Sequence, residues 1–377
     1  MHYFDYAATA KPDEAIFKEA GRLALSHFAN PSSSHQLGRQ AKILIEELRN
    51  RAAMALGVAG HTITFNSGAT EGNGAVMLSF INNLSKGEIL LNAGEHAAVY
   101  ENFKLLKNFG YTVKELVAAG GLITPELLQK KLTKQTKLVA IMLLNNETGL
   151  INNITQLAAT IRDYEAAEGC RIHLHVDATQ ALGKINFDIT KLDTDSLVLA
   201  AHKAGGPRGS GLLYQKKWRE PFLGGGGQEL GNRSGTENLL AIAGMVLTLE
   251  KYYNVKESRH NENLLINGLQ DLGATVLPNL RLIKPENFCP YIVSCAFSPL
   301  PGEVVVRMAS EHGLYISTGS ACSSNKKTDL RALTTAGVSE QLAKQAVRFS
   351  YSPATGKEEV KVMLAVLKEV LEKLRIK

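Results

Sequence analysis

Lys203 closes a short apolar run, Leu197 to Ala201, directly after His202, and the β-rich run before it ends in Asp177, Ala178, Thr179 and Gln180. A lysine, a carboxylate and a histidine brought to one sheet edge by neighbouring strand ends make a set that pyridoxal phosphate can use. Its aldehyde needs an amine with which to condense, and its ring nitrogen needs an anion to stay protonated and serve as an electron sink. A surface lysine and a helix-capping aspartate would account for either residue alone.

Such residues need strands to carry them. From about Ile63 to Tyr214, β-rich runs alternate with helical patterns, which predicts an α/β fold whose mostly parallel central sheet has helices on both faces. The clearest strands are Ile63 to Phe65, Glu88 to Leu91, Leu138 to Leu144, Ile172 to Val176, Leu197 to Ala200 and Gly211 to Tyr214. Helical spacing runs over Glu126 to Leu132 and Ile154 to Ala167, and Thr124 with Pro125 is a start signal. Ligands of such sheets bind beyond the carboxyl ends of the strands, where Gly68, Asn146, Asp177 and Lys203 fall. After about Val255 the pattern is sparser, with strands Tyr291 to Phe297 and Ala346 to Tyr351 and a last amphipathic helix through Val360, Met363, Leu364, Leu367, Leu371 and Leu374. We expect a large cofactor-binding domain over 13–255 and a smaller α+β domain over 256–377, with 1–12 packing on or near it.

At 377 residues the chain suits two domains, and 45% hydrophobic with 21% charged content is ordinary for a globular protein. The net charge of +6 is scattered, without a basic stripe interleaved with aromatics, so no direct nucleic-acid binding is expected. The four cysteines have no CxxC spacing and are too few for a disulfide framework, which reads as free thiols in a reducing cytoplasm. The longest apolar run, Leu138 to Leu144, is far short of the roughly 20 residues that span a bilayer, and no membrane association is expected.

Other stretches carry chemistry with varying specificity. Ser67, Gly68, Ala69, Thr70 and Glu71 follow a strand and open a helix, where backbone N–H groups and the Thr70 hydroxyl suit a phosphate; a plain N-cap by Ser67 is the simpler alternative. Asn146 ends the most apolar strand and can aim an amide at a ligand, although a turn explains it equally well. Gly224 to Gly227 allow close backbone approach or a flexible link to the run Arg233 to Asn238. His173, His175 and Asp177 alternate with period two and would share one strand face, a rival two-histidine, one-carboxylate metal site of a hydrolase. That rival leaves Lys203 unexplained. Cys322 sits among small polar residues, unlike Cys295 between Val293 and Phe297, which marks it as an exposed nucleophile. Arg348 in the Ala346 to Ser350 strand can hold a carboxylate with its guanidinium fork or join the domains as a salt bridge.

Taken together, these residues resemble the NifS/IscS-like cysteine desulfurases of the class V aminotransferase group, fold type I pyridoxal phosphate enzymes. The matches run in order through Asp5 to Thr9, Asn30 to Ser33, SGATE at 67–71, NNETG at 145–149, HVDATQ at 175–180, His202 with Lys203, RSGTEN at 233–238, GSACSS at 319–324 and RFS from Arg348. The resemblance implies that Lys203 bonds the cofactor's aldehyde carbon, Asp177 pairs with its ring nitrogen, and His96 stacks on the ring and moves protons. It implies Gln180 and Asn146 at the phenolic oxygen, Ala69, Thr70 and His202 at the phosphate with Thr236 from a second subunit, and Asn30, Asn146 and Arg348 at the substrate. It also implies a homodimer with shared active sites that converts L-cysteine to L-alanine. A persulfide would form on Cys322 for delivery to an acceptor protein, an iron–sulfur scaffold or a tRNA-thiolation enzyme. A selenocysteine lyase or another lyase or transaminase, and a non-catalytic sulfur-relay or scaffold protein, are the alternatives. Two departures stand out: Ala200 replaces a phosphate-binding serine of the family, and Gly72 and Gly74 should each loosen the helix after Glu71 by roughly 1 kcal/mol.

Overall fold

A computed structural model describes residues 1–83, 85–217, 224–255, 259–319 and 330–375. Twelve strands are described: β1 His2–Tyr3, β2 Ile63–Asn66, β3 Glu88–Asn92, β4 Thr112–Leu116, β5 Thr136–Ala140, β6 His173–Asp177, β7 Ser196–Ala200, β8 Gly211–Gln215, β9 Leu280–Ile283, β10 Ile292–Phe297, β11 Leu314–Tyr315 and β12 Ala346–Ser350. Seven of them form the central sheet in the order β2-β8-β7-β6-β5-β3-β4. The stretch from β4 to β7 is parallel, whereas β8 runs antiparallel to both β7 and β2. Strands β3, β7 and β8 are buried throughout because helices cover both faces, which is why they read as largely apolar runs.

The sequence pattern misses β4, an edge strand whose Thr112 and Glu115 are exposed and dilute the apolar signal. The run from Leu138 to Leu144 is one strand only as far as Ala140. Beyond it the chain stays pinned to β6, with Ile141 N–H donating to His175 O at 3.1 Å and Leu143 N–H to Asp177 O at 2.9 Å. That pinning carries Asn146 toward the same sheet edge as Asp177. Thr124 caps the helix Pro125–Lys131 by accepting the Leu127 N–H at 3.2 Å, as its start signal predicts.

The C-terminal region has a three-stranded antiparallel sheet, β12-β10-β9, with the helices His260–Thr275 and Lys357–Arg375 packed against each other. The chain's first residues join this region, since β1 pairs in parallel with β11 and Asp5 bridges to Ser350. Phe4, 1% exposed, anchors the junction edge-on against Tyr351. A second anchor ties the glycine run to the sheet: Glu229 takes two hydrogen bonds from Arg49, at 2.9 and 3.0 Å, and the Phe65 N–H at 2.8 Å.

Candidate active site

Beyond the carboxyl ends of the parallel strands lies a cavity of about 580 Å³. Lys203, Asp177, Gln180, His96, Asn146 and His202 line it, together with the turn from Ser67 to Glu71. Residues far apart in sequence thus converge because their strands lie side by side.

Lys203 ends a short 3-10 turn that follows β7, and its Nζ donates to Ala7 O at 2.7 Å and Ala8 O at 2.9 Å. Gln180 Nε2 donates to the same Ala7 carbonyl at 2.8 Å. The N-terminal segment therefore forms one wall of the site. Asp177, at the end of β6, accepts the Thr179 N–H at 3.0 Å on one oxygen and the Asn73 side-chain amide at 2.7 Å on the other. Lys184 backs the site from below, donating to Lys203 O at 3.1 Å, and burial pushes its pKa down to about 7. No motif or spacing signals that role.

The helix Ala69–Leu78 has Gly68 rather than Ser67 at its N-cap, and no side chain caps it. Gly68 has φ 143, a conformation that favours glycine, and Glu71 reaches back to the Ser67 N–H at 2.9 Å. The first N–H groups of a helix have no intrahelical acceptor, so this end faces the cavity as an anion site. His202 sits in the same wall, its Nδ1 3.2 Å from Thr9 Oγ1, and burial together with the charges of Lys203, Lys184 and Arg208 pushes its pKa down to about 4. Arg208 lines the cavity as well, whereas Ala200 is buried and does not line it. Of the two glycines after Glu71, Gly72 does more than loosen a helix. A Cβ at Gly72 would stand 2.7 Å from Val198 Cγ1, so the glycine lets this helix lie tight on the sheet.

His96 is itself an N-cap, accepting the Ala98 N–H on Nδ1 at 3.1 Å, which fixes its ring at the cavity wall. Beside it Glu95 is buried, with Met142 N–H donating to Oε1; burial and the nearby Asp177 raise its pKa well above the usual carboxylate range. In the NNETG run the two asparagines divide the work. Asn145 holds the turn, accepting the Glu147 and Thr148 N–H groups at 2.9 Å, while Asn146 faces the cavity.

Other predicted residues stand outside this wall. Arg348 is 1% exposed, donating to Asn146 O at 2.9 Å and to Asp5 Oδ1 at 2.7 Å, the salt-bridge arrangement weighed from sequence. Asn30 is exposed and uses its side chain to accept the Ser32 N–H at 2.9 Å. Thr236 is exposed and does not line the cavity of its own chain, although Arg233 ties its segment to Glu71 at 2.8 Å. Cys322 lies outside the described residues. The flanks of its segment are anchored at the site: Gly319 lies against Glu147, and Ala332 lies against Gly94, two residues before His96.

The rival metal motif resolves differently. His173 and His175 do share a strand face with Asp177, but both rings turn to Ser196 Oγ, at 2.7 and 2.8 Å, and the other nitrogen of His175 meets Asn73 Oδ1 at 2.7 Å. Both His175 nitrogens are thereby spent on hydrogen bonds.

Burial lowers the His175 pKa to about 4. Between pH 6.5 and that value the unfolded chain binds a proton here that the folded chain refuses, so this histidine's contribution is intact above pH 6.5 and is lost as pH falls toward 4. The loss amounts to at most about 3 kcal/mol. Glu95 acts with the opposite sign in the same window, so the test is a difference. Urea midpoints of His175→Gln should fall less steeply than wild type between about pH 7 and 4.5; equal slopes would refute a neutral His175.

The cavity passes a fit test for pyridoxal phosphate. Thr179 Oγ1 and Gln180 Oε1 are buried without hydrogen-bond partners, which calls for a polar guest. An uncapped helix start beside cationic side chains suits a phosphate, a carboxylate held by two donors suits a pyridinium nitrogen, and the Lys203 amine suits an aldehyde.

Residues 2–363 match the aminotransferase class-V family, and the chain belongs to it. It is 34% identical over 380 residues to the NifS/IcsS protein homolog of Lactobacillus delbrueckii subsp. bulgaricus, covering 99% of this chain and 97% of that one. It is 33% identical to the cysteine desulfurase IscS of Dictyoglomus turgidum, covering 99% of this chain and 95% of the other. A solved structure named NifS-like protein superposes with a TM-score of 0.87 at 30% identity, covering 99% of this chain and 100% of that one.

Proposed function

We propose that this protein is a pyridoxal phosphate-dependent cysteine desulfurase. The observation that carries the reading is the meeting of Lys203, Asp177 and an uncapped helix start in one cavity, and the relative from Dictyoglomus turgidum bears that activity in its name. When bound, the cofactor supplies an aldehyde for the substrate amine and a ring that accepts the electrons of the Cα–H bond.

This chain's residues do the rest. Ala69, Thr70 and His202 hold the phosphate with Arg208 beside them, Asp177 keeps the ring nitrogen protonated, and Gln180 and Asn146 meet the phenolic oxygen. Lys203 would hold the aldehyde carbon and, with substrate in place, would take the Cα proton. His96 stacks on the ring and passes protons. Arg348 exchanges Asp5 for the substrate carboxylate, and Asn30 and Asn146 complete the substrate side.

Cys322 then attacks the substrate sulfur as a thiolate. The Cβ–S bond breaks with its electron pair left on Cβ, which takes up a proton, an S–S bond forms, and alanine leaves behind a persulfide on Cys322 that passes to an acceptor protein. A homodimer places Thr236 of one subunit at the phosphate of the other. Exposed Leu25, Ile43 and Met54 on the helices Glu14–Ser26 and Gln36–Leu56 offer a second copy apolar surface to cover.

Cys322→Ala is expected to leave cofactor binding unchanged and to lower alanine and sulfide formation from L-cysteine by about 10²-fold or more. Mass spectrometry of the wild type after L-cysteine should find one extra sulfur on the peptide containing Cys322. Full alanine formation by Cys322→Ala would refute this route.

A further inference from the structure

The His173, His175 and Asp177 alternation leads to an arrangement that the proposed chemistry leaves unexplained. Behind Asp177 runs a chain of side chains from three elements, buried except for the half-buried His173 at its far end: Asn73 of the helix Ala69–Leu78, His173 and His175 of β6, and Ser196 of β7. Asn73 and Ser196 are 0% exposed and His175 is 1% exposed. Asn73 reaches this depth because Gly72 beside it lets the helix approach, a Cβ there meeting Asn66 Nδ2 at 3.0 Å.

The donors and acceptors of the chain can be assigned from one end. The Asp177 carboxylate only accepts, so Asn73 turns its amide nitrogen to it at 2.7 Å. The amide oxygen then faces His175 Nε2 at 2.7 Å, and that nitrogen must carry the hydrogen. Burial keeps the ring neutral, so Nδ1 is a lone pair and accepts the Ser196 hydroxyl at 2.8 Å. Ser196 Oγ in turn accepts the His173 Nε2–H at 2.7 Å. Every bond donates in the same direction, toward Asp177, and in such a chain each bond polarises the next.

We propose that Asn73 is a positioning residue which, backed by His175, Ser196 and His173, fixes the rotation of the Asp177 carboxylate so that it meets the cofactor's ring nitrogen. The inference rests on the pyridoxal phosphate reading above. Losing one hydrogen bond to a buried carboxylate costs about tenfold or more in whatever that carboxylate binds.

The test compares wild type, Asn73→Leu and Ser196→Ala. Asn73→Leu keeps the volume and should bind pyridoxal phosphate about tenfold more weakly, with a weakened visible band and a lower kcat at nearly unchanged KM for cysteine. Ser196→Ala should move the same readouts the same way by a smaller factor. In the protein without cofactor, ¹⁵N NMR should find His175 neutral and protonated on Nε2 between about pH 5 and 8, and should find that tautomer no longer fixed in Asn73→Leu. A merely structural role would lower the unfolding temperature without touching the visible band or the tautomer. If Asn73→Leu does not fold, Ser196→Ala and the wild-type NMR decide. Wild-type cofactor affinity and spectrum in the variants, or a His175 protonated on Nδ1, would overturn this inference alone. A wild type that takes up no cofactor would overturn the parent reading and this one with it.

Discussion

Substituting Lys203 by alanine is expected to remove the yellow colour of the purified protein and to slow turnover of L-cysteine by about 10²–10⁴-fold or more. The expectation follows from position as much as residue type. Its Nζ is held by the Ala7 and Ala8 carbonyls at the cavity wall, at 2.7 and 2.9 Å, so the amine is presented rather than left to swing. On the proposed function, removing it takes away both the covalent hold on the aldehyde carbon and the base for the substrate Cα proton. The phosphate cradle and Asp177 stand on other elements, so the variant should still bind the cofactor, reversibly and without the bound chromophore. Absorption spectra before and after gel filtration check this; a variant that stays yellow through filtration would contradict it.

The second large effect concerns stability. Glu229→Ala is expected to cost about 3–5 kcal/mol, read as a fall in the urea midpoint. The side chains of Arg49 and Glu229 are each 3% exposed, and removing the carboxylate leaves a buried guanidinium without its main partner and the Phe65 N–H without its acceptor. The contrast is Arg51 with Glu250, a pair 39% and 36% exposed, where Glu250→Ala should cost no more than about 1 kcal/mol. Glu229 lies at φ 49 just after the glycine run, which reads in sequence as a linker. The ion pair makes it a fastening, holding the Arg233–Glu71 segment beside the uncapped helix start.

What could be read from the sequence is what local pattern encodes. The apolar runs give the strands because both faces of the sheet are covered, and the strand ends give Asp177, Asn146 and Lys203 because ligands gather there. The turn at Ser67 to Glu71 is visible as a strand-to-helix junction, although not the choice of Gly68 as the uncapped start. What escapes is pairing across distance. Asn73 meets His175 across 102 residues and Asp5 meets Arg348 across 343, and no periodicity connects such residues. The alternating histidines therefore look like metal ligands until Ser196, contributed by the next strand, is seen between them. Arg208 follows Gly205, Gly206 and Pro207 in the turn after Lys203, and its charge was the one available signal of a cation beside the phosphate site.

The central claim is tested most directly by adding L-cysteine to the purified protein loaded with pyridoxal phosphate and measuring the absorption spectrum, alanine and, with a thiol reductant present, sulfide. The account predicts an immediate change in the visible band, with alanine and sulfide formed in equal amounts over many turnovers. A spectrum indifferent to L-cysteine, or sulfide accompanied by pyruvate and ammonia in place of alanine, would contradict it.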